Sequence, residues 1–331
     1  MPTIATRALA ALALASTILL VPVAASAEDK ITFGLNWFPQ AEHGGFYQAV
    51  AEGIYKSYGL DVTIKPGGAQ VNTAQLLAAG AYDFAIVSNN LIPMNMVREG
   101  IPYVAVAAVF QKDPQCLMAH GELGFKTLAD LKGHPIQIGT DAWDSYWKFL
   151  KVKYDFDDAQ ARPYTFDVAP FLADKNVIQQ EYVTNYQGHI KGTGVTPQIF
   201  LLADYGYSTY ATIIMASKRM VEEKPDLVQH FVDASIKGWY GFLHGDNRRA
   251  VAMIIKDNPD YTADWADSVV KVVNEQGLAE AGDAKTLGIG AMTDARWKDF
   301  FDIMVKAGAY KSDFDYKAAY TLKFVNKKVG Q

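Results

Sequence analysis

The residues of this chain best equipped for chemistry form recognition sets rather than catalytic ones. Asn36-Trp37 joins an amide that both donates and accepts to a large flat indole face, a pairing that suits a ring with polar edges; Trp37 could equally do no more than pack beneath a helix. His43 follows, where a neutral imidazole could meet a ring nitrogen or merely cap a helix at the surface. Gly67-Gly68 lets backbone approach a ligand, or serves any tight turn into a helix. Ser88-Asn89 offers short polar contacts, while Asn72 reads as a helix cap.

Further along, Gly139-Thr140-Asp141-Ala142-Trp143 reads as a strand end opening a helix. Its N–H groups could hold an anion, but Asp141 and Asp144 would repel one, so an uncharged ligand group is expected with Trp143 as a second stacking face. Asp167 is a candidate acceptor for a ring amine, or a solvated turn residue. Asp204 to Tyr210 holds Tyr205, Tyr207 and Tyr210, more aromatic surface than a loop needs; the expectation is that Tyr205 and Tyr210 above all line a cleft.

For these residues to meet, the chain has to place strand ends together. Short apolar runs alternate with amphipathic stretches almost throughout, the mark of an α/β protein with largely parallel sheets. Strands are expected at 31–35, 60–64, 84–87 and 103–110, then at 135–138, 164–166, 177–183 and 199–202. Helices are expected at 45–58, 92–98 and 144–154, and over 225–243, 248–256, 263–276 and 294–307. Two further apolar segments, 116–119 and 212–216, read as crossings between two lobes. The expected division is lobe 1 at 28–116 plus 213–331, with lobe 2 at 117–212 inserted into it. A cleft between two such lobes collects strand C-termini from both.

The first residues carry Arg7, an apolar run to Val21, and Ala25-Ser26-Ala27 ahead of Glu28-Asp29-Lys30. That is the pattern of a signal peptide, residues 1–27, cleaved after Ala27. The single cysteine, Cys116, is far from that point, so neither a lipid anchor at the new N-terminus nor an intrachain disulfide is expected. The net charge of −5 becomes one unit more negative once Arg7 leaves, which argues against nucleic acid or an anionic membrane as partner. No metal-type His/Cys cluster and no nucleophile, Walker or dinucleotide motif stands in its required context. A soluble periplasmic monomer is the expectation.

Lys30-Ile31-Thr32-Phe33, Leu35-Asn36-Trp37, Pro39 and His43 resemble the opening of the NMT1/THI5-like proteins at the same spacing. Gly53 with Gly59-Leu60-Asp61-Val62, Asp83-Phe84-Ala85, Gly100-Ile101-Pro102, Leu131-Lys132-Gly133 and Lys224-Pro225-Asp226-Leu227-Val228 continue the likeness. The resemblance implies a type-II periplasmic-binding-protein fold, two α/β lobes joined by a hinge. It also implies a receptor that delivers a small-molecule ligand to the permease and ATPase of an ABC importer. Bacterial members serve thiamine pyrimidine precursors, and relatives serve riboflavin, sulfonates or nitrate. A eukaryotic branch is the thiamine pyrimidine synthase.

That branch requires a lysine and a histidine at positions that read Val87 and Leu91 here, and a cysteine-rich segment where Gly206 to Tyr210 stands. Valine cannot form an imine with a cofactor aldehyde, so no cofactor and no catalytic residue are expected. The pyrimidine receptors are expected to carry a glutamate near Tyr210, and this chain has none there, which leaves the ligand open. A planar heterocycle such as hydroxymethyl- or formylaminopyrimidine is expected first, a flavin or other nucleobase-like ring second, and an oxyanion third, because Lys65, Arg98 and Lys112 avoid the candidate segments.

Overall fold

The computed structural model describes residues 28–331 other than Ala69 and Asp144. The expected signal peptide, residues 1–27, lies outside the described residues, as do Asp144 and the Asp141 side chain of the expected acidic turn.

Among the described residues ten strands make two sheets. In chain order they are β1 (Asp29–Gly34), β2 (Leu60–Lys65), β3 (Phe84–Asn89), β4 (Tyr103–Phe110), β5 (Gln115–His120), β6 (Ile136–Ile138), β7 (Ala161–Pro163), β8 (Ile178–Tyr182), β9 (Pro197–Leu201) and β10 (Ala211–Ser217). The first sheet is ordered β2-β1-β3-β10-β4 and the second β7-β6-β8-β5-β9. Both use one wiring: three parallel strands, then an antiparallel strand, then a last strand antiparallel to that. The antiparallel strand is in each case the one that arrives from the other sheet. The segments around Cys116 and Thr212 are therefore not connectors but the inner strands β5 and β10, with Ile213 paired to both Val87 and Ala108.

β4 shows how sequence becomes burial here. Its run Tyr-Val-Ala-Val-Ala-Ala-Val-Phe has no polar alternation and every residue is buried, as a strand covered on both faces requires. It ends its sheet, and the free edge is covered by bridges from Tyr320 to Ala105 and Gly290 to Ala108, which removes a template for edge pairing. Under the first sheet lies the long helix Pro225–His244. Phe231 stacks on Phe84 at 4.1 Å with the rings 3° from parallel, and Trp239 meets Phe110 edge-on at 5.4 Å.

Two expected elements shifted. The helix expected over 45–58 breaks at Gly53, whose φ of 67° leaves the helical region, giving helices Gly44–Ala51 and Ile54–Ser57. The strand expected at 164–166 is β7 at Ala161–Pro163, so Tyr164 to Phe166 form the loop leaving it. Phe166 sits at φ 61°, a conformation that ends a strand and that a bulky residue rarely adopts.

Candidate functional site

The loop after β1 is held by its backbone. Leu35 N–H donates to Lys65 O (2.9 Å), Gly67 N–H to Trp37 O (3.1 Å), and the Thr73 hydroxyl to Leu35 O (2.8 Å). A Cβ on Gly67 would lie 2.4 Å from Leu35 O and 2.7 Å from Trp37 N, so only glycine fits beneath this loop. Gly67 thus supports the site from below, and Gly68 packs on the Phe38 ring.

Asn36 projects from the loop into a chain of hydrogen bonds. Gln40 N–H donates to His43 Nδ1 at 3.3 Å, His43 Nε2 lies 3.2 Å from Asn36 Oδ1, and Asn36 Nδ2 donates to Ser88 Oγ at 3.1 Å. Burial lowers the His43 pKa from 6.5 to about 3, so the ring is neutral and has one proton to give. Because Nδ1 accepts, that proton is on Nε2, an assignment made from the network. It fixes the Asn36 amide, and Ser88 is left with its own proton free to donate. His43 is buried rather than at the surface: it closes the turn Ala41–His43 through Gln40 and holds the Asn36 amide. Gly44 and Gly45 behind it admit the rings of Phe242 and Trp239, against which a Cβ would sit at 2.1 and 2.2 Å.

Asn36 and Ser88 line a cavity of about 390 Å³ at the carboxyl ends of β1 and β3, with Gln70, Asn72 and Thr73 adding polar groups and Ile86, Val87 and Ile92 an apolar wall. No lysine, arginine or carboxylate is among its described lining residues. Val87, where the synthase branch would need lysine, is part of that wall. Asn72 caps the helix Thr73–Ala78 by accepting from Gln75 N–H, as expected.

Trp37 lies beside this cavity and reaches the second sheet. Its ring is 5.5 Å from that of Phe166, inclined at 44°, and Phe166 contacts Tyr164 at 5.0 Å. Phe166 is 56% exposed, so an apolar face is presented between the two sheets. Phe166 was not singled out in the sequence because its segment read as strand interior; the aromatic pair Tyr164 and Phe166 beside Asp167 was the available signal.

Other expected site residues go elsewhere. Trp143 is 39% exposed but its ring contact is Trp147, edge-on at 6.1 Å. Asn89 Oδ1 accepts from Leu91 N–H and Asp167 Oδ1 from Ala169 N–H, so both carboxamide and carboxylate serve local turns. Tyr205 lines a different cavity, of about 440 Å³, with Tyr186, Asp204 and Gln276. Tyr207 is fully buried between Phe149 and Phe300. Tyr210 is buried too, its hydroxyl donating to Asp283 Oδ2 (2.9 Å) and accepting from Thr293 N–H (3.0 Å), with Arg296 over its ring. Tyr207 and Tyr210 are packing where the chain returns to the first sheet, whereas Tyr205 stays on a cavity wall.

Comparison with known proteins agrees with this architecture. The family model described as NMT1/THI5 like matches residues 40–245. The riboflavin-binding protein RibY of Chloroflexus aurantiacus is 23% identical, covering 95% of this chain and 91% of that one. The formylaminopyrimidine-binding protein of Halalkalibacterium halodurans is 25% identical, covering 64% and 66%. Among solved structures, the periplasmic aliphatic sulphonate binding protein SsuA of Escherichia coli superimposes with a TM-score of 0.64 at 13% identity, covering 88% of this chain and 91% of that one. With a matching model across more than half its length and paired sheets of the same build, this chain belongs to the NMT1/THI5-like family and has the periplasmic-binding-protein fold.

Proposed function

We propose that this protein is a periplasmic receptor that captures a small, flat, uncharged heterocycle and hands it to the permease and ATPase of an ABC importer. The observation that carries this is the site's composition: a cavity edged by the oriented Asn36 and Ser88, without charged lining residues, beside the Trp37–Phe166 pair that spans both sheets. A planar ring gains from stacking and edge hydrogen bonds, whereas an oxyanion requires cations or bidentate donors. Relatives named for binding riboflavin and formylaminopyrimidine support the same ligand class. A pyrimidine is the first reading and a flavin the second, the latter favoured by the nearly full-length likeness to RibY.

In this reading each sheet is the core of one lobe, the boundaries expected at 116 and 213 move to the segments just before β5 and β10 because each of those strands lies whole within its sheet, and the protein binds by closing the lobes about those crossings. It leaves the cytoplasm through a cleaved signal peptide, carries no lipid anchor, acts as a monomer and catalyses nothing. The aliphatic Val87 and Leu91 support that last point. Tryptophan fluorescence titrated with formylaminopyrimidine, riboflavin, an alkanesulfonate and nitrate tests it. Quenching by a heterocycle that disappears in Trp37→Phe is expected; a response to sulfonate or nitrate alone overturns it.

A further inference from the structure

Among the described residues the chain passes between the two sheets twice, over 111–114 from β4 to β5 and over 202–210 from β9 to β10. Carbonyl groups in such crossings lie outside both ladders and need donors from elsewhere. Arg296, half-buried in the first turn of the helix Asp294–Lys306, supplies them to both crossings at once. Its Nε donates to Ser208 O at 2.6 Å and its Nη2 to Gln111 O, while the guanidinium lies over the Tyr210 ring, 4.9 Å from the centroid. One turn further along the same helix, Phe300 meets the Tyr207 ring, which also meets Phe149 from the helix Tyr146–Tyr154 that lies between β6 and β7 in the chain.

The backbone around these contacts shows how narrow the pivot is. In the first crossing, Gln111 and Lys112 N–H both donate to Leu278 O, at 2.6 and 3.2 Å, and the Gln111 amide donates to Ala108 O and Ala291 O, all on the side of the first sheet. Pro114 O, by contrast, accepts from Val183 N–H just past β8 of the second sheet. In the second crossing, Tyr207 N–H donates to Leu202 O just past β9, whereas the Thr209 hydroxyl accepts from Asn90 N–H and Asn90 Oδ1 from Tyr210 N–H, just past β3. Each crossing therefore passes from one sheet's hydrogen bonds to the other's within one residue, Asp113 in the first and Ser208 in the second. Arg296 holds Ser208 itself and Gln111 shortly before Asp113. Lys112 Nζ and Asp204 Oδ1, 2.7 Å apart, also tie the crossings, but both side chains are partly exposed and such a pair holds weakly.

We propose that Arg296 is a positioning residue of the hinge: by gripping both crossings it confines bending to Asp113 and Ser208, so that the lobes swing along one path. The consequence for capture rests on the receptor reading above; the grip itself does not. Hinges absorb motion in a few residues, and a planar donor fork set on two carbonyls keeps the crossings moving as a unit. With the fork gone the crossings bend separately. The fraction of molecules able to close correctly then falls, and apparent affinity falls with it.

Spin labels on Lys56→Cys and Lys175→Cys, exposed residues of the two lobes, report the interlobe distance distribution without ligand; Cys116 is buried and takes no label. Arg296→Met is expected to widen this distribution. Arg296→Lys does the same, because an ammonium on a flexible stem lacks the planar fork, and it carries the test should the methionine variant not fold. Lys112→Met removes the partly exposed tie and keeps the wild-type width. In fluorescence titration both Arg296 variants bind riboflavin or formylaminopyrimidine about three- to tenfold more weakly than wild type, although Arg296 is not among the described lining residues of either cavity. A lower melting temperature at wild-type width makes Arg296 an ordinary structural residue and overturns the proposal. A wider distribution with wild-type affinity overturns it too, as does equal widening in Lys112→Met. Wild type that binds neither probe refutes the receptor reading, and the width alone then decides the grip.

Discussion

His43 ties the stability of this protein to pH in a way that can be isolated. Its imidazole is buried and its pKa falls from 6.5 to about 3 because desolvation penalises the charged ring. Between those values the unfolded chain binds a proton that the folded chain refuses. Stability from this group is therefore complete above pH 6.5 and is lost as pH falls toward 3. One proton is worth about 1.4 kcal/mol per pH unit, and the whole interval about 5 kcal/mol, comparable to the net stability of many domains. In His43→Gln an amide that does not titrate replaces the ring. Urea unfolding at half-unit steps from pH 6 to pH 4 should show wild-type stability falling more steeply than that of the variant by about 1 kcal/mol per unit. His189 and Glu42, whose pKa values are both raised, contribute stability that is lost as pH rises, but they are common to both proteins and leave the difference intact. Parallel slopes would refute the neutral, buried His43 and with it the assigned direction of the Asn36 amide.

Trp37→Ala and Phe166→Ala should each weaken heterocycle binding about tenfold, and the double variant by less than the product, because the rings share one contact; titration of the four proteins decides, and full additivity would separate the two residues. Tyr210→Phe removes a hydroxyl that bridges Asp283 and Thr293, so stability should fall by about 1–3 kcal/mol in urea while ligand affinity holds. Lost affinity at unchanged stability would return Tyr210 to the cleft. In Gly67→Ala the new Cβ meets backbone atoms at 2.4 and 2.7 Å, so a loss of about 1–3 kcal/mol accompanied by weaker binding is expected, since the loop holding Asn36 and Trp37 has to shift; normal binding would show that the loop does not position them.

The strands and long helices could be read from periodicity because burial sets their composition directly. The run in β4 and the face of Pro225–His244 that carries Phe231 and Trp239 have no competing interpretation. What periodicity could not convey was partnership. Cys116 to Ala119 and Thr212 to Ala216 were recognised as apolar and as crossings, but an apolar segment reads alike as a connector or as an inner strand. Only pairing, β5 with β8 and β9, β10 with β3 and β4, distinguishes them. A single glycine likewise decided whether 45–58 was one helix or two.

At the candidate site, positions that follow from local chain geometry were legible and positions that depend on the opposite sheet were not. Asn36 and Ser88 sit at the exits of parallel strands, where α/β topology puts ligand groups whatever the remaining fold. Counting tyrosines misplaced Tyr207 and Tyr210 because aromatic density has two causes. At Tyr207 and Tyr210 the chain re-enters the first sheet beneath the helix Asp294–Lys306, and rings fill that junction against Phe300 and Trp297. Trp37 instead finds Phe166, marked in the sequence only by its aromatic neighbour Tyr164, in the loop leaving β7 where its backbone is left-handed. Glu42 gave no signal for a related reason: an acidic residue at the start of a helical turn is what a solvated helix end would show, and only the loop after β8, with Thr184 against it, makes it a buried carboxyl.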